Sequence, residues 1–275
     1  MNWGDRIEGV GDMFELPQTI YEAVERAKER IIGSCKRCDG TGIYKKRRCG
    51  CRYAHEVIVL LAFAGVPEEY WWYKLKEFPG SSKAKAEVQT YIDHIPAMYK
   101  DGLGILLVGN YGTGKTSLGC GILKEVVKYR IKNQDEDGFR VQYKTLSQII
   151  TELLALEKGQ GKEFRREMMA DFLFIDEIDK EYTTKSAGWK FAIFDQLLRD
   201  RKANKLSTIL SSNIPFDTKN PEALSMEKYY GDSIMSILRS MLHVVRVGGI
   251  DLRVGTGSKR YKQIVEGEKN SEVEW

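Results

Sequence analysis

The sequence has no long hydrophobic segment. Its longest apolar run, VIVLLAFAGV at residues 57–66, is about half as long as a membrane-spanning helix requires. No basic start followed by an apolar block marks a signal peptide, and internal repeats and low-complexity tracts are missing. We therefore expect no membrane partner and a cytoplasmic location. The 275 residues, 42% apolar and 30% charged, suffice for one average domain with a proper core plus a smaller module.

Cysteine is also scarce, and its distribution is uneven. Four of the five cysteines fall within residues 35–51, as Cys35-x-x-Cys38, ten residues, and Cys49-x-Cys51. Two short cysteine pairs separated by a loop place four thiolates around one tetrahedral Zn²⁺, and four thiolates leave no open position for catalysis. Disulfides are the poorer interpretation for a cytosolic chain. We predict a structural Zn²⁺ site and, because the four positions are taken, expect His55 on the surface.

The same stretch is strongly basic. Residues 35–53 contain seven lysines and arginines and one acidic residue, although the net charge of the whole chain is only +4. A basic zinc module contacts nucleic acid, docks a protein, or is a solvated loop. The sequence leaves these three alternatives open.

A phosphate-binding loop follows about 60 residues later. The segment GILLVGNYGTGKTS at 104–117 combines an apolar strand with the pattern G-x-x-x-x-G-K-T. Backbone N–H groups of such a loop surround phosphate, Lys115 reaches the β- and γ-oxygens, and the Thr116 hydroxyl ligates Mg²⁺. The predicted nucleotide-binding residues of the loop are Gly109, Asn110, Tyr111, Gly112, Thr113, Gly114, Lys115, Thr116 and Ser117.

Two further strands supply polar residues. The strand in DFLFIDEID at 171–179 ends in Asp176, a Mg²⁺ ligand, and Glu177, which would orient or deprotonate the attacking water. STILSSN at 207–213 ends in Asn213, which would contact the γ-phosphate or the water. Arg239 lies on a predicted helix at 229–242, before a short strand at 243–247. There it is either a surface residue or completes a neighbouring subunit's site.

The order of these motifs resembles that of the AAA+ ATPases. The segments at 64–78, 141–156 and 239–253 resemble more closely the DnaC, DnaI and IstB group, which contains bacterial and phage replicative-helicase loaders and transposition ATPases. The resemblance covers roughly residues 64–255. It implies an α/β P-loop ATPase with a parallel five-stranded sheet flanked by helices. Because only 25 residues follow residue 250, we expect little or no helical lid.

The resemblance also implies roles for single residues. Asn213 matches the first sensor, Arg239 the arginine finger and Arg253 the second-sensor arginine. Catalysis would depend on Lys115, Asp176, Glu177, Asn213 and Arg239.

The domain organisation is predicted as a series of four segments. A helical and zinc-binding module at 1–66 would dock a helicase, with a linker at 67–83, the ATPase at 84–262 and an acidic tail at 263–275. The apolar face of the helix at 19–32 would either pack in the core or dock a partner. Lys162, Arg165 and Arg166 lie with Lys158 in a predicted basic loop, and Tyr182 to Lys185 would contact DNA or form an ordinary polar loop.

The function implied by the resemblance is ATP-dependent loading of the hexameric replicative helicase onto single-stranded DNA, in a bacterial or phage-infected cell. The cofactors would be ATP, Mg²⁺ and Zn²⁺. The subunits would form a ring or spiral, either by themselves or only when bound to the helicase. The alternative is an IstB-type, DNA-binding transposition ATPase. An unfoldase subunit would need an aromatic pore loop and a lid, and neither is found. A non-enzymatic binding protein is disfavoured by Lys115, Asp176 and Glu177.

Overall fold

The structure is a computed structural model that describes residues 17–133, 139–156, 161–180, 187–220 and 222–254, together with 258 and 261. Several predicted features lie outside the described residues: the first 16 residues, Lys158, Tyr182 to Lys185 and the acidic tail at 263–275. None of the described helices is long and apolar enough to cross a membrane.

The amino-terminal part contains two helices on either side of the cysteine segment. Helix α1 (Gln18–Lys28) ends in a π-helical turn (Glu29–Gly33), and a small hairpin of β1 (Ile43–Tyr44) and β2 (Arg47–Arg48) precedes helix α2 (Gly50–Phe63). The apolar face predicted for residues 19–32 is buried at Ala23, Val24 and Ala27. That face therefore packs within the chain, against the same core as α2.

Short helices lead from this part to the sheet. Helix α3 (Glu68–Trp71) and a 3₁₀ turn (Leu75–Glu77) are followed by α4 (Ser82–Asp93) and α5 (Ile95–Asp101). The Ser81 hydroxyl caps α4 by accepting from the Ala84 N–H, and α5 ends at Gly102, which has φ 67°. Within the predicted linker 67–83, Trp71, Leu75 and Phe78 are buried. The division into domains stays a prediction.

The remaining elements alternate strands and helices. They are β3 (Gly104–Val108), α6 (Lys115–Lys132), β4 (Val141–Thr145), α7 (Leu146–Ala155), α8 (Gly161–Met168), β5 (Phe172–Asp176), α9 (Ala187–Ala203), β6 (Ser207–Ser212), α10 (Met226–Met241) and β7 (Leu242–Arg246). The predicted helix at 229–242 and strand at 243–247 correspond to α10 and β7. Thr145 and Gln148 form a capping box that starts α7.

All five strands β3 to β7 pair in parallel in the order β4-β5-β6-β3-β7. Alternate residues of β3 enter different cores: Ile105 and Leu107 pack with α2, α4 and α6, whereas Leu106 and Val108 pack with α7, α9 and α10. Such two-sided burial produces continuous apolar strands in a sheet covered by helices on both faces. The predicted five-stranded parallel α/β sheet is confirmed.

The strand order determines which loops meet. Strand β6 lies between β3 and β5, so the residues after these three strands emerge side by side at the carboxyl edge of the sheet. At the opposite edge, the fully buried Arg201 of α9 donates to the carbonyls of Met168, Ala170 and Ser207. After β7, residues 247–254 form loops and turns only.

Candidate nucleotide-binding and zinc sites

The loop 109–114 joins β3 to α6 and is too crowded for side chains at its glycines. A Cβ atom on Gly112, which has φ 71°, would lie 1.7 Å from Oδ1 of Asp251. One on Gly109 would lie 2.1 Å from the carbonyl oxygen of Val247. The bare loop backbone at the amino end of the 18-residue helix α6 is suited to a phosphate group.

Lys115 is the first residue of α6 and is almost completely buried. Its Nζ donates to the carbonyls of Gly109 (2.8 Å) and Asn110 (2.7 Å) and to Oδ1 of Asn213 (2.8 Å). Burial lowers the pKa of Lys115 from its ordinary value, and the negative charges of Asp179 and Asp176 oppose this effect. The ammonium group is therefore held by oxygens at the mouth of the loop.

Asp176 ends β5 and is surrounded by hydroxyl donors. Its Oδ2 accepts from Thr116 Oγ1 at 2.9 Å and from the Tyr143 hydroxyl at 3.2 Å, and its Oδ1 accepts from the Ser211 hydroxyl. Burial raises the pKa of Asp176, although these hydrogen bonds favour the ionised form. A carboxylate beside the Thr116 hydroxyl is the oxygen ligand set that Mg²⁺ prefers.

Glu177 follows Asp176 in a left-handed conformation with φ 55°. A residue other than glycine adopts this conformation at a cost of about 1–3 kcal/mol, and such strain concentrates at functional sites. The Glu177 N–H donates to Oδ1 of Asp176 (3.1 Å) and to the Ser211 hydroxyl (2.9 Å), so the strained turn is well supported. The Glu177 carboxylate is about one-third exposed and pairs with Lys180 at 2.5 Å.

Asn213 follows β6 and lies between the loop and the acidic pair. Asp179 holds it at two points: Oδ1 accepts from the Asn213 N–H at 2.8 Å, and Oδ2 accepts from its Nδ2 at 2.9 Å. This contact leaves the Asn213 Oδ1 atom directed at Lys115. The Tyr229 hydroxyl of α10 donates to the Asp179 carbonyl at 2.9 Å and so attaches that helix to the same turn.

One pocket joins most of these groups. Its lining includes Asp176, Glu177, Asn213 and Arg253, and also Tyr70, Ser211 and Leu252. Six predicted loop residues line it as well: Tyr111, Gly112, Gly114, Lys115, Thr116 and Ser117. Tyr111 is mostly exposed, whereas Thr113 is buried and donates to the Asn110 carbonyl. The Leu252 N–H donates to the Gly112 carbonyl at 2.9 Å, which fixes the segment of Arg253 over the loop.

Arg239 is not brought into this pocket. It is half-exposed near the end of α10, where it pairs with Glu227 at 2.9 Å and lies 5.9 Å from the centre of the Phe216 ring. Among the residues described, it therefore has no contact with the phosphate loop of its own subunit.

The four clustered cysteines converge as their spacing predicts. Their sulfur atoms all lie within 4.8 Å of one another, with Cys35 to Cys49 at 3.9 Å and Cys38 to Cys51 at 3.5 Å. A tetrahedral zinc with bonds of about 2.3 Å has sulfur–sulfur edges of about 3.8 Å, so the cluster fits that ion. The Gly42 N–H donates to the Cys38 sulfur at 3.2 Å. A backbone hydrogen bond from Arg37 lowers the pKa of Cys35 to about 7, whereas burial raises the pKa of Cys51 to about 12.

The expectation for His55 was wrong. His55 is 4% exposed, because it lies on the face of α2 that packs against α1. Burial lowers the pKa of His55. That four cysteines fill the zinc site excludes His55 as a ligand but says nothing about its packing. Packing decides where His55 lies.

Four site residues were not identified from the sequence. They are Tyr70, Tyr143, Asp179 and Ser211. Asp179 lies three residues after Asp176, and Ser211 lies one strand alternation before Asn213, so both were within the motifs. Tyr70 and Tyr143 come from distant segments and carry no local signal.

A parallel sheet with a glycine-rich phosphate loop, an acidic pair on β5 and a polar residue after the intervening strand defines an AAA+ P-loop ATPase. The family model described as "IstB-like ATP binding protein" matches residues 95–260 of this chain. The match spans more than half of the chain, and the protein therefore belongs to the IstB-like ATP-binding family. No curated protein sequence matches the chain significantly.

Solved structures share the fold. A crystal structure of the DnaC helicase loader is similar with a TM-score of 0.52 and 18% sequence identity, over 66% of this chain and 100% of that one. A crystal structure of DnaI is similar with a TM-score of 0.50 and 19% identity, over 68% of this chain and 94% of that one. The resemblance to the DnaC, DnaI and IstB group is thereby confirmed at the level of family and fold.

Proposed function

We propose that the protein is an ATP-dependent loader that places a hexameric replicative helicase on single-stranded DNA. The observation that carries the proposal is the attachment of a four-cysteine module to a compact ATPase with a complete set of nucleotide-site residues. The fold shared with the DnaC helicase loader supports this choice. ATP binding would set the state that grips DNA, and hydrolysis would release the loader.

In this proposal the phosphates of ATP lie on loop 109–114. Lys115 would exchange its contacts with loop carbonyls for the β- and γ-phosphate oxygens. Thr116 and Asp176 would hold Mg²⁺, which when bound neutralises charge on these phosphates. Glu177 would take a proton from the attacking water, after separating from Lys180. Asn213 would fix the water or the γ-phosphate.

Arg239 would act on the nucleotide of an adjacent subunit. Its half-exposed position on α10, away from its own phosphate loop, supports a role that requires a second copy of the chain. Arg253 lines its own pocket and is assigned as the second sensor. The subunits would thus form a ring or spiral, either by themselves or only when bound to the helicase.

The amino-terminal module would hold the helicase, with Zn²⁺ on Cys35, Cys38, Cys49 and Cys51 as a structural ion. We place this activity in the cytoplasm of a bacterial or phage-infected cell. In this proposal residues 1–66 dock the helicase and residues 84–262 contact DNA in an ATP-dependent way. Residues 67–83 form the linker between these two parts.

The second candidate is an IstB-type accessory ATPase of transposition that binds DNA and recruits a transposase. The family model that matches residues 95–260 supports it directly. The two candidates share the whole nucleotide site and differ in the partner.

The test is affinity capture of the tagged protein from its native cells in ATP and Mg²⁺, with Lys115→Ala as the matched nucleotide-site variant. The loader proposal expects a hexameric replicative helicase in stoichiometric yield. With the purified pair, wild type should place the helicase on circular single-stranded DNA, and Lys115→Ala should fail. A transposase without helicase would reject the loader and favour the second candidate.

A further inference from the structure

A basic basin lies on the zinc module, outside the nucleotide site. It is lined by seven residues, four of which are cationic: Arg37, Lys45, Arg47 and Arg48, together with Tyr44, Cys49 and Gly50. The last two residues begin the 14-residue helix α2, so the positive end of that helix dipole also faces the basin. No carboxylate from the described part of the chain lines it.

Two of the cations lie close to one aromatic ring. The Arg37 guanidinium lies 4.7 Å from the centre of the Tyr44 ring, and the Lys45 ammonium lies 5.5 Å from it. Tyr44 itself is half-buried and pairs with Arg47 across the hairpin. Arginine planes and aromatic rings are surfaces on which the bases of unpaired nucleic acid stack.

The tip of the hairpin combines backbone strain with positive charge. Lys45 and Lys46 are the two residues of the turn, with φ angles of 49° and 62°. Turns of this type favour Asn-Gly, because left-handed conformations disfavour residues with a side chain. Two lysines at these positions lower local stability, and one of them, Lys45, lines the basin. Backbone strain retained in this way points to a function.

Carboxylates within the described residues neutralise little of this charge, although four thiolates around Zn²⁺ would place two net negative charges beside the basin. Arg48 pairs with Glu56 at 3.1 Å, but no ion pair within the described residues involves Arg37, Lys45 or Arg47. Clustered cations of this kind repel one another unless an anion lies between them. A phosphate backbone supplies anions at regular spacing, and its bases match the Tyr44 and Arg37 surfaces. An acidic peptide would match only the charge.

We propose that this basin binds the backbone of single-stranded DNA, as a contact separate from the ATPase and independent of nucleotide. The inference holds whether the partner protein is a helicase or a transposase. A Zn²⁺ ion on the four cysteines would then do more than fold the module, because these cysteines flank both the turn of Arg37 and the hairpin that carries Lys45, Arg47 and Arg48.

The test measures binding of the full-length protein, without nucleotide, to a fluorescent oligo-dT over a range of salt concentrations. The variant Arg37→Ala/Lys45→Ala/Arg47→Ala is compared with Lys100→Ala/Lys132→Ala/Lys202→Ala, which removes equal charge from exposed positions elsewhere. We expect the basin variant to bind at least about tenfold more weakly. Its slope of log affinity against log salt should fall by about two, since each phosphate contact contributes about 0.7.

Zinc content and ATP hydrolysis should be unchanged in both variants. If the alanine variant loses zinc, the milder variant Lys45→Gln/Arg47→Gln, which leaves Arg37 against Tyr44, is the deciding test. It should lower the slope by about 1.4. Wild type that binds no oligo-dT without nucleotide, or a basin variant with wild-type affinity and slope, overturns the proposal. Loss of partner-protein binding with unchanged DNA affinity also overturns it, and assigns the basin to an acidic protein surface.

Discussion

Replacing Asp179 by alanine tests whether the orientation of Asn213 matters for hydrolysis. The Asp179 carboxylate accepts two hydrogen bonds from Asn213, at 2.8 and 2.9 Å, and Asn213 in turn accepts from Lys115 at 2.8 Å. A hydrogen bond to a charged group contributes roughly 1.5–3 kcal/mol. If about 2 kcal/mol of this orientation is needed in the transition state, kcat falls about 30-fold, because each 1.36 kcal/mol is a factor of ten.

The assay is steady-state ATP hydrolysis, in which Asp179→Ala should lower kcat about 10- to 100-fold and leave KM within about threefold. Asp179→Asn keeps one acceptor oxygen, so its kcat should lie between that of Asp179→Ala and that of wild type. Asp217→Ala is the matched control: Asp217 also follows β6, but among the described residues it accepts only from Arg246. It should retain wild-type kcat.

The same variant makes a pH prediction. Burial lowers the pKa of Lys115, and the negative charge of Asp179 opposes this effect. Removing that charge lowers the pKa of Lys115 further, so the charged lysine is lost at lower pH. The alkaline decline of kcat/KM should therefore move to lower pH in Asp179→Ala. A variant with wild-type kcat and an unmoved pH profile would refute the argument that Asp179 positions Asn213 and Lys115.

Three other outcomes are expected. Glu177→Gln should keep ATP bound and stop turnover, as measured by nucleotide binding and phosphate release; unchanged hydrolysis would remove Glu177 from its role. Arg201→Met should lower the free energy of unfolding in urea by at least about 3 kcal/mol, because three buried carbonyls lose their donor. The exposed Arg199→Met should change the free energy of unfolding far less, and equal effects would contradict this account. Burial lowers the pKa of Lys124 from 10.5 to about 8. The unfolded chain then binds more protons in that window, so wild-type stability should rise with pH from 8 to 10.5 relative to Lys124→Met; a parallel pH profile would be the contrary result.

The nucleotide motifs could be predicted because each is contained in one short segment. Loop 109–117 carries its own glycines, lysine and hydroxyl, and the apolar runs before it and before Asp176 predict buried parallel strands. The cysteine cluster was equally predictable, because two short pairs and a tight hairpin bring four sulfurs together locally. Helix α10 and strand β7 were also predicted to within a few residues.

Other features depended on which elements became neighbours. The contact of Asp179 with Asn213 joins residues 34 positions apart, and it exists because β6 pairs beside β5. Tyr143 reaches Asp176 because β4 pairs on the other side of β5. The burial of His55 depended on the packing of α2 against α1, which a local pattern does not encode.

The sequence by itself therefore determined the chemistry of this protein: a phosphate loop, an acidic pair and a thiolate cluster, each formed by residues close along the chain. Only the tertiary structure decided how these groups are oriented. It directs Asn213 at Lys115, leaves Arg239 outside its own pocket and brings four cations into one basin with Tyr44. The physical reason is that hydrogen bonds and charge interactions act over a few ångströms in space, whatever the separation along the chain.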